Sequence, residues 1–159
     1  MRLLVAIDGT DASDTALDYA LDIAARLDAS LLLAYAIEPP VRATADGNGN
    51  RDGDGGDGED GTGNENGDTR FVQDALEDAR TTGDRVLHDA ANRASVAGVS
   101  AERRLVSGDP VERIPELAAE ASVDGIVVGH RREVDHHEVV NSVAKGLIER
   151  SPVPVTVVP

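Results

Sequence analysis

The densest group of side chains capable of chemistry lies between Gly129 and Ser142, in the run GHRREVDHHEVVNSV that opens at Gly129. His130, Asp135, His136, His137 and Glu138 supply imidazoles and carboxylates, the donor types that bind zinc and other transition metals. Adjacent residues seldom converge on one ion, however, and a solvated polar loop accounts for the same composition. Asn48, Asn50, Asp52, Gly53 and Glu59 follow the EF-hand calcium spacing, with Asn at the first ligand position. A stretch made almost wholly of Asp, Asn, Glu and Gly generates that spacing by chance, and no apolar helices flank it. No resident metal is therefore expected. For catalysis the chain has no P-loop, no G-x-S-x-G elbow and no H-E-x-x-H pair, so no catalytic residue is assigned.

The whole composition narrows the classes of partner. The chain has 159 residues, fitting one domain, with 30 acidic residues against 15 basic ones and a net charge of −15. Among the basic residues only Lys145 is a lysine, and no Lys/Arg run exceeds a pair. Such a field repels nucleic-acid phosphates and anionic membrane surfaces, so neither partner is expected. There is no cysteine, which excludes disulfides and thiolate metal sites. The opening MRLLVAID is interrupted by Asp8 and is too short for a signal peptide or a membrane span, which leads us to expect a cytoplasmic protein. An Asp-rich, Lys-poor surface with one Phe, two Tyr and no Trp suggests adaptation to concentrated intracellular salt and a halophilic archaeal source.

Residues 46–68 contain nine Gly, eight acids, four Asn, one Arg, one Thr and no apolar side chain. Ordering glycine is entropically expensive and nothing here buries surface in return, so 42–70 reads as an acidic low-complexity insert without order.

Elsewhere strand-like and helix-like patterns alternate. Strands are expected at Leu3–Ile7, Ser30–Ile37, Ala101–Val106, Val123–Val128 and Val153–Val158, all but the third nearly continuous apolar runs of the kind buried on both faces. Four helices lie between them. Leu17, Ala20, Leu21, Ala24 and Leu27 mark the first, capped by Asp11 or Ser13, and Leu76, Ala79, Val86, Leu87, Ala90 and Ala94 mark the second, ending near Gly98. Asp109, Pro110 and Glu112 form a capping-box start for the third, with Ile114, Leu117, Ala118 and Ala121 inward and Pro115 expected to kink it or loosen its start. Val139, Val140, Val143, Leu147 and Ile148 mark the fourth, which Pro152 ends. Strand and helix alternation calls for right-handed crossovers and an α/β fold, an open, doubly wound, five-stranded parallel sheet with four helices. Ligands bind such sheets beyond the carboxyl ends of the strands. That rule selects Asp8 to Ser13, Glu38 to Val41, and the chain from Gly129 onward.

The segments LLVAIDGTDAS, LLLAYAIEPP, VSGDPVERIPELAAEASVDGIVVG and SVAKGLIERSPVPVTVVP together resemble the universal stress protein family, over nearly all the chain except 42–70. The resemblance implies a homodimer formed through the last strand. It also implies a Rossmann-like site that in some members binds ATP. In those members a G-x2-G-x9-G-[ST] motif between the fourth strand and the last helix holds the phosphates, its glycines letting backbone N–H groups approach phosphate oxygens. Gly129 and Ser142 match that motif. Arg132 and Asn141 replace two of its glycines, and eight residues separate them where the family pattern has nine. A guanidinium still reaches anions and Asn tolerates positive φ, so altered binding stays open beside lost binding.

The remaining site positions each carry two readings. Asp8 matches the family's acidic residue near the ribose, or is a solvated carboxylate at a strand end. Ala6, Ala36, Val128 and Val143 align with the walls of the adenine pocket, or are plain core. Gly129 serves phosphate or is a turn glycine, and Ser142 serves phosphate or caps the last helix. The functional expectation is a stress-response binding or signalling module with lost or altered ATP binding. An adenine-nucleotide (ATP or AMP) sensor and a weak ATPase are the alternatives.

Overall fold

In a computed structural model the backbone is described at residues 1–40, 65–130 and 142–159, and side chains at 1–40, 69–130 and 143–159. Five strands, β1 (Arg2–Ala6), β2 (Ser30–Ile37), β3 (Ala101–Ser107), β4 (Gly125–Gly129) and β5 (Val155–Val158), alternate with four helices, α1 (Asp11–Leu27), α2 (Glu65–Val96), α3 (Pro110–Glu120) and α4 (Ser142–Arg150). The sheet is parallel throughout, in the order β3-β2-β1-β4-β5.

The sheet is covered on both faces, as a parallel sheet requires. On one side Leu17, Ala20 and Ala24 of α1 and Leu87, Ala90 and Ala94 of α2 pack against Val5, Leu31, Leu33 and Val127. On the other, Ile114, Leu117 and Ala118 of α3 and Ala144 and Leu147 of α4 pack against Leu4, Leu32, Ala34, Ile126 and Val128. Each fully buried Leu contributes about 1.5–3 kcal/mol, whereas an exposed ion pair contributes about 0–1 kcal/mol. The two apolar layers therefore hold the fold, and the surface pairs, such as Arg26 with Asp22, add little.

Several expected boundaries shift for local reasons. Thr10, rather than Asp11 or Ser13, caps α1: its hydroxyl accepts from the Ser13 N–H at 3.4 Å. Leu27 and Ile148, expected inward, are 55% and 59% exposed, and each lies on the last turn of its helix. β4 begins at Gly125 instead of Val123 and runs on to include Gly129. Asp124 stands just outside it, exchanging bonds with Arg2 through its own N–H (2.7 Å) and through its carboxylate, which accepts from the Arg2 N–H (2.7 Å). β5 is an edge strand with Val155, Val157 and Val158 only half-buried and Thr156 exposed, so burial on both faces does not hold there.

Asp109 does cap α3, but its carboxylate accepts from the Val111 N–H at 2.9 Å, and the Glu112 side chain meets Arg150 at 3.5 Å instead of closing a capping box. The helix is not loosened by Pro115. The Glu112 and Arg113 N–H groups both donate to the Asp109 carbonyl (3.0 and 2.9 Å), and Pro115 is buried within an unbroken helix. Most of the acidic insert lies outside the described residues. The backbone is already helical from Glu65, inside the stretch that composition assigns to the insert, because α2 runs for 32 residues.

Candidate functional site

The order of the strands dictates where a site can form. From β1 the chain winds outward through β2 to β3, then crosses back to place β4 and β5 on the other side of β1. The crossovers diverge between β1 and β4, leaving a crevice at their carboxyl ends where ligands bind in open α/β sheets. A cleft of about 500 Å³ occupies this place, within the range of about 300–1,000 Å³ usual for small-molecule sites.

Its walls come from every layer of the fold. Ala6 and Ile7 end β1, Ala34 to Ile37 end β2 and Val128 and Gly129 end β4. Thr10, Ala12 and Ser13 bring in the first turn of α1, Ala79 lines it from α2, Pro110 and Ile114 from α3 and Val143 from α4. Asp8 and Glu38 stand on the loops after β1 and β2. Of the expected site residues, Ala6, Asp8, Ala36, Val128, Gly129 and Val143 thus share one cavity. Arg132, Asn141 and the Ser142 side chain lie outside the described residues, as do the loop histidines His136 and His137 with Asp135 and Glu138, and the EF-hand-like positions 48–59. Among the described residues no group of three or more His, Asp or Glu side chains is placed to hold a metal ion.

The loop after β1 is shaped by its own hydrogen bonds. Gly9 adopts φ 78°, a left-handed conformation that turns the chain from strand to helix. Asp8 Oδ1 accepts from the Thr10 N–H (3.0 Å) and from the Thr10 hydroxyl (2.5 Å), an Asx turn that presents the carboxylate at the cleft. Ser13, 4% exposed, donates from its hydroxyl to the Thr10 carbonyl at 2.9 Å, satisfying the one buried polar side chain among the described residues.

Gly129 has a different reason to be glycine. A Cβ built on it would lie 2.1 Å from the Ala12 carbonyl oxygen and 3.0 Å from the Ser13 nitrogen. The end of β4 therefore rests directly on the backbone of the first turn of α1, and close approach rather than a turn conformation excludes any side chain. Beyond it, the His130 N–H donates to the Val158 carbonyl (2.8 Å), tying the chain leaving β4 to β5. Composition offered no signal for Ala79, Pro110 or Ile114 as cleft residues, the first reaching the cleft from α2 and the other two from α3.

With this geometry in view, comparison with known proteins is decisive. A family model described as the universal stress protein family matches residues 1–159. The chain belongs to that family. The universal stress protein YxiE of Bacillus subtilis (strain 168) is 30% identical over 130 residues, 82% of this chain and 78% of its own length. The universal stress protein UspA from Lactobacillus plantarum shares the fold at a TM-score of 0.77 and 18% identity, with 100% of this chain and 97% of that one covered. A solved universal stress protein in complex with cAMP is 27% identical, at a TM-score of 0.67, and covers 100% of this chain and 97% of its own. Other solved universal stress proteins hold AMP, in one from Arabidopsis thaliana, and dAMP, in one from Archaeoglobus fulgidus. Adenine nucleotides are thus ligands of proteins built on this fold. Among the described residues no helix of this universal stress protein is long and apolar enough to cross a membrane.

Proposed function

We propose that this universal stress protein is a stress-response signalling module whose cleft takes an adenine nucleotide, with phosphate contacts altered from those of the ATP-binding members. The observation that carries the reading is the meeting of Ala6, Asp8, Ala36, Val128, Gly129 and Val143 in one cavity at the carboxyl ends of β1, β2 and β4. Small apolar strand ends offer apolar walls suited to a purine, and Asp8 is an acceptor suited to ribose hydroxyls. The cAMP complex of a relative 27% identical over the whole chain supports the same assignment. Arg132, Asn141 and Ser142 are carried over from the family motif alone, and the replacement of two glycines there argues for altered phosphate contacts. The module acts in the cytoplasm of a halophile as a homodimer, with the unpaired edge of β5 as the joining strand.

Calorimetric titration of AMP and ATP in several concentrations of KCl tests the nucleotide reading. Saturable binding near one site per chain is the expected result. Absence of binding by either nucleotide overturns it and leaves a module that signals without nucleotide. Magnesium-dependent phosphate release, followed on the same samples, separates a sensor from an ATPase.

A further inference from the structure

Aromatic side chains are scarce in this protein. Phe71, Tyr19 and Tyr35 are the three it has, and the first two, 72% and 42% exposed, stand on the surfaces of α2 and α1. Tyr35 is at the cleft, the one aromatic residue in its described lining. It lies near the end of β2, on the face that carries Leu31 and Leu33 beneath α1 and α2. Those two leucines are fully buried, whereas Tyr35 is half-buried.

The helix above Tyr35 has made room for its ring. Gly83 occupies the interior of α2, where glycine is markedly less favourable than alanine. A Cβ there would stand 2.8 and 3.0 Å from Cδ1 and Cε1 of Tyr35 and 2.7 Å from a Leu105 methyl. One edge of the ring therefore lies directly against the backbone of α2. Ala79, one turn earlier on the same face of that helix, lines the cleft. The element that fixes the ring is thus the element that forms the adjoining wall. Aliphatic side chains serve at Leu31 and Leu33, so packing alone does not call for a ring at Tyr35 with a helical glycine to admit it.

A rigid aromatic surface in a small-molecule cleft is a partner for a planar ligand, since every base has a π-face to set against it. We infer that Tyr35 touches the base of the bound adenine nucleotide, with Gly83 as the residue that positions its ring. The inference rests on the nucleotide reading above and adds to it a side chain that recognises the base, where Asp8 serves the sugar.

The test follows Tyr35 directly. The chain has no Trp, so in Tyr19→Phe, altered on an exposed part of α1 outside the cleft lining, Tyr35 is the sole tyrosine and dominates the ultraviolet emission. AMP, ATP and ribose 5-phosphate are titrated into this variant by calorimetry and by emission, with N-acetyltyrosinamide correcting for absorption by the nucleotide. The nucleotides are also titrated calorimetrically into Tyr35→Leu, Tyr35→Phe and Gly83→Ala. A nucleotide is expected to change the Tyr35 emission saturably, at the calorimetric midpoint, whereas ribose 5-phosphate, which lacks the base, leaves it unchanged. Tyr35→Leu should bind about fivefold or more weakly than the parent. Tyr35→Phe should recover most of that loss, and Gly83→Ala should weaken binding by pushing the ring aside. A nucleotide that binds by calorimetry without altering the Tyr35 emission overturns the inference and leaves the nucleotide reading intact. A folded Tyr35→Leu of parental affinity does the same. Should Tyr35→Leu fail to fold, the emission of Tyr19→Phe decides by itself. If neither nucleotide binds saturably, both readings fall together.

Discussion

Gly129 shows how one residue can serve architecture and site at once. Its absent side chain lets β4 touch the backbone of α1, and the same contact sets the floor of the cleft between them. Gly129→Ala forces a methyl group against a carbonyl oxygen that has no room to retreat, so we expect a loss of about 3 kcal/mol or more, read as a lower urea midpoint, together with weaker ligand binding. A variant as stable as the parent would refute the close-approach account. This role was invisible in the sequence, where the family motif and a simple turn were the competing explanations; a contact between residues so far apart leaves no local signature. Asp8 was legible as a site position because a polar residue ending an apolar strand run is conspicuous, but its partnership with Thr10 was not. Glu102 carries a pH-linked feature. Desolvation, the largest single influence, pushes its carboxyl up, and the hydrogen bonds and charges of Arg104 and Arg2 together outweigh it and hold the group below the usual glutamate range. A folded value below the unfolded one, about 4.3, contributes stability above that pH and loses it as pH falls through the folded value. The difference in thermal midpoint between the parent and Glu102→Gln should therefore change in the parent's disfavour as the solution is acidified. The trend, not the offset at neutral pH, is diagnostic, because removing any carboxylate from so acidic a chain also relieves repulsion.

Among the elements, those with strong local chemistry were read correctly. β2 falls at Ser30–Ile37 as its apolar run requires, and α3 starts at the Asp109–Pro110 pair, where cap and fixed φ agree. The start of α1 was harder, because DGTDAS offers several capping side chains in a row and only the fold selects Thr10. The contact of α3 with α4 had no sequence signal. Gly146 lies against Val111, and a Cβ there would stand 2.4 Å from one Val111 methyl. Since α4 also delivers Val143 to the cleft, this contact sets the position of one wall. Gly146→Ala should destabilise by about 1–3 kcal/mol and weaken ligand binding, and adding Val111→Ala should restore part of both by making room. Denaturation and titration of the two single variants and the double variant form the cycle that measures it. Equal losses in the single and double variants would show that the two helices are not in register through this pair.

At the scale of the whole molecule, composition and alternation were enough for the α/β class, the five strands and the four helices, but not for the order β3-β2-β1-β4-β5. Apolar runs mark strands as buried without saying which run lies beside which. The excess of acid is the other global property. The surface pairs, including Arg93 with Asp14 and Asp18, involve side chains more than a third exposed and contribute little, while each unmatched carboxylate adds to mutual repulsion. Screening removes more repulsion than attraction here, so the thermal midpoint should rise by several degrees between dilute and molar KCl; a midpoint that falls with KCl would contradict both this balance and the proposed salt adaptation. The strand order has a consequence for biogenesis. Arg2 and Asp124, which close the seam between β1 and β4, are 122 positions apart, so among the described residues the centre of the sheet is zipped by the most distant strand pairing. A nascent chain can assemble β1, β2 and β3 while β4, the other neighbour of β1, has yet to leave the ribosome, and pairing over such a span is slow. The cleft, whose two banks are supplied by the early and late halves of synthesis, is complete only once β4 has joined β1, so any ligand that fills it would act as a clasp on a finished molecule.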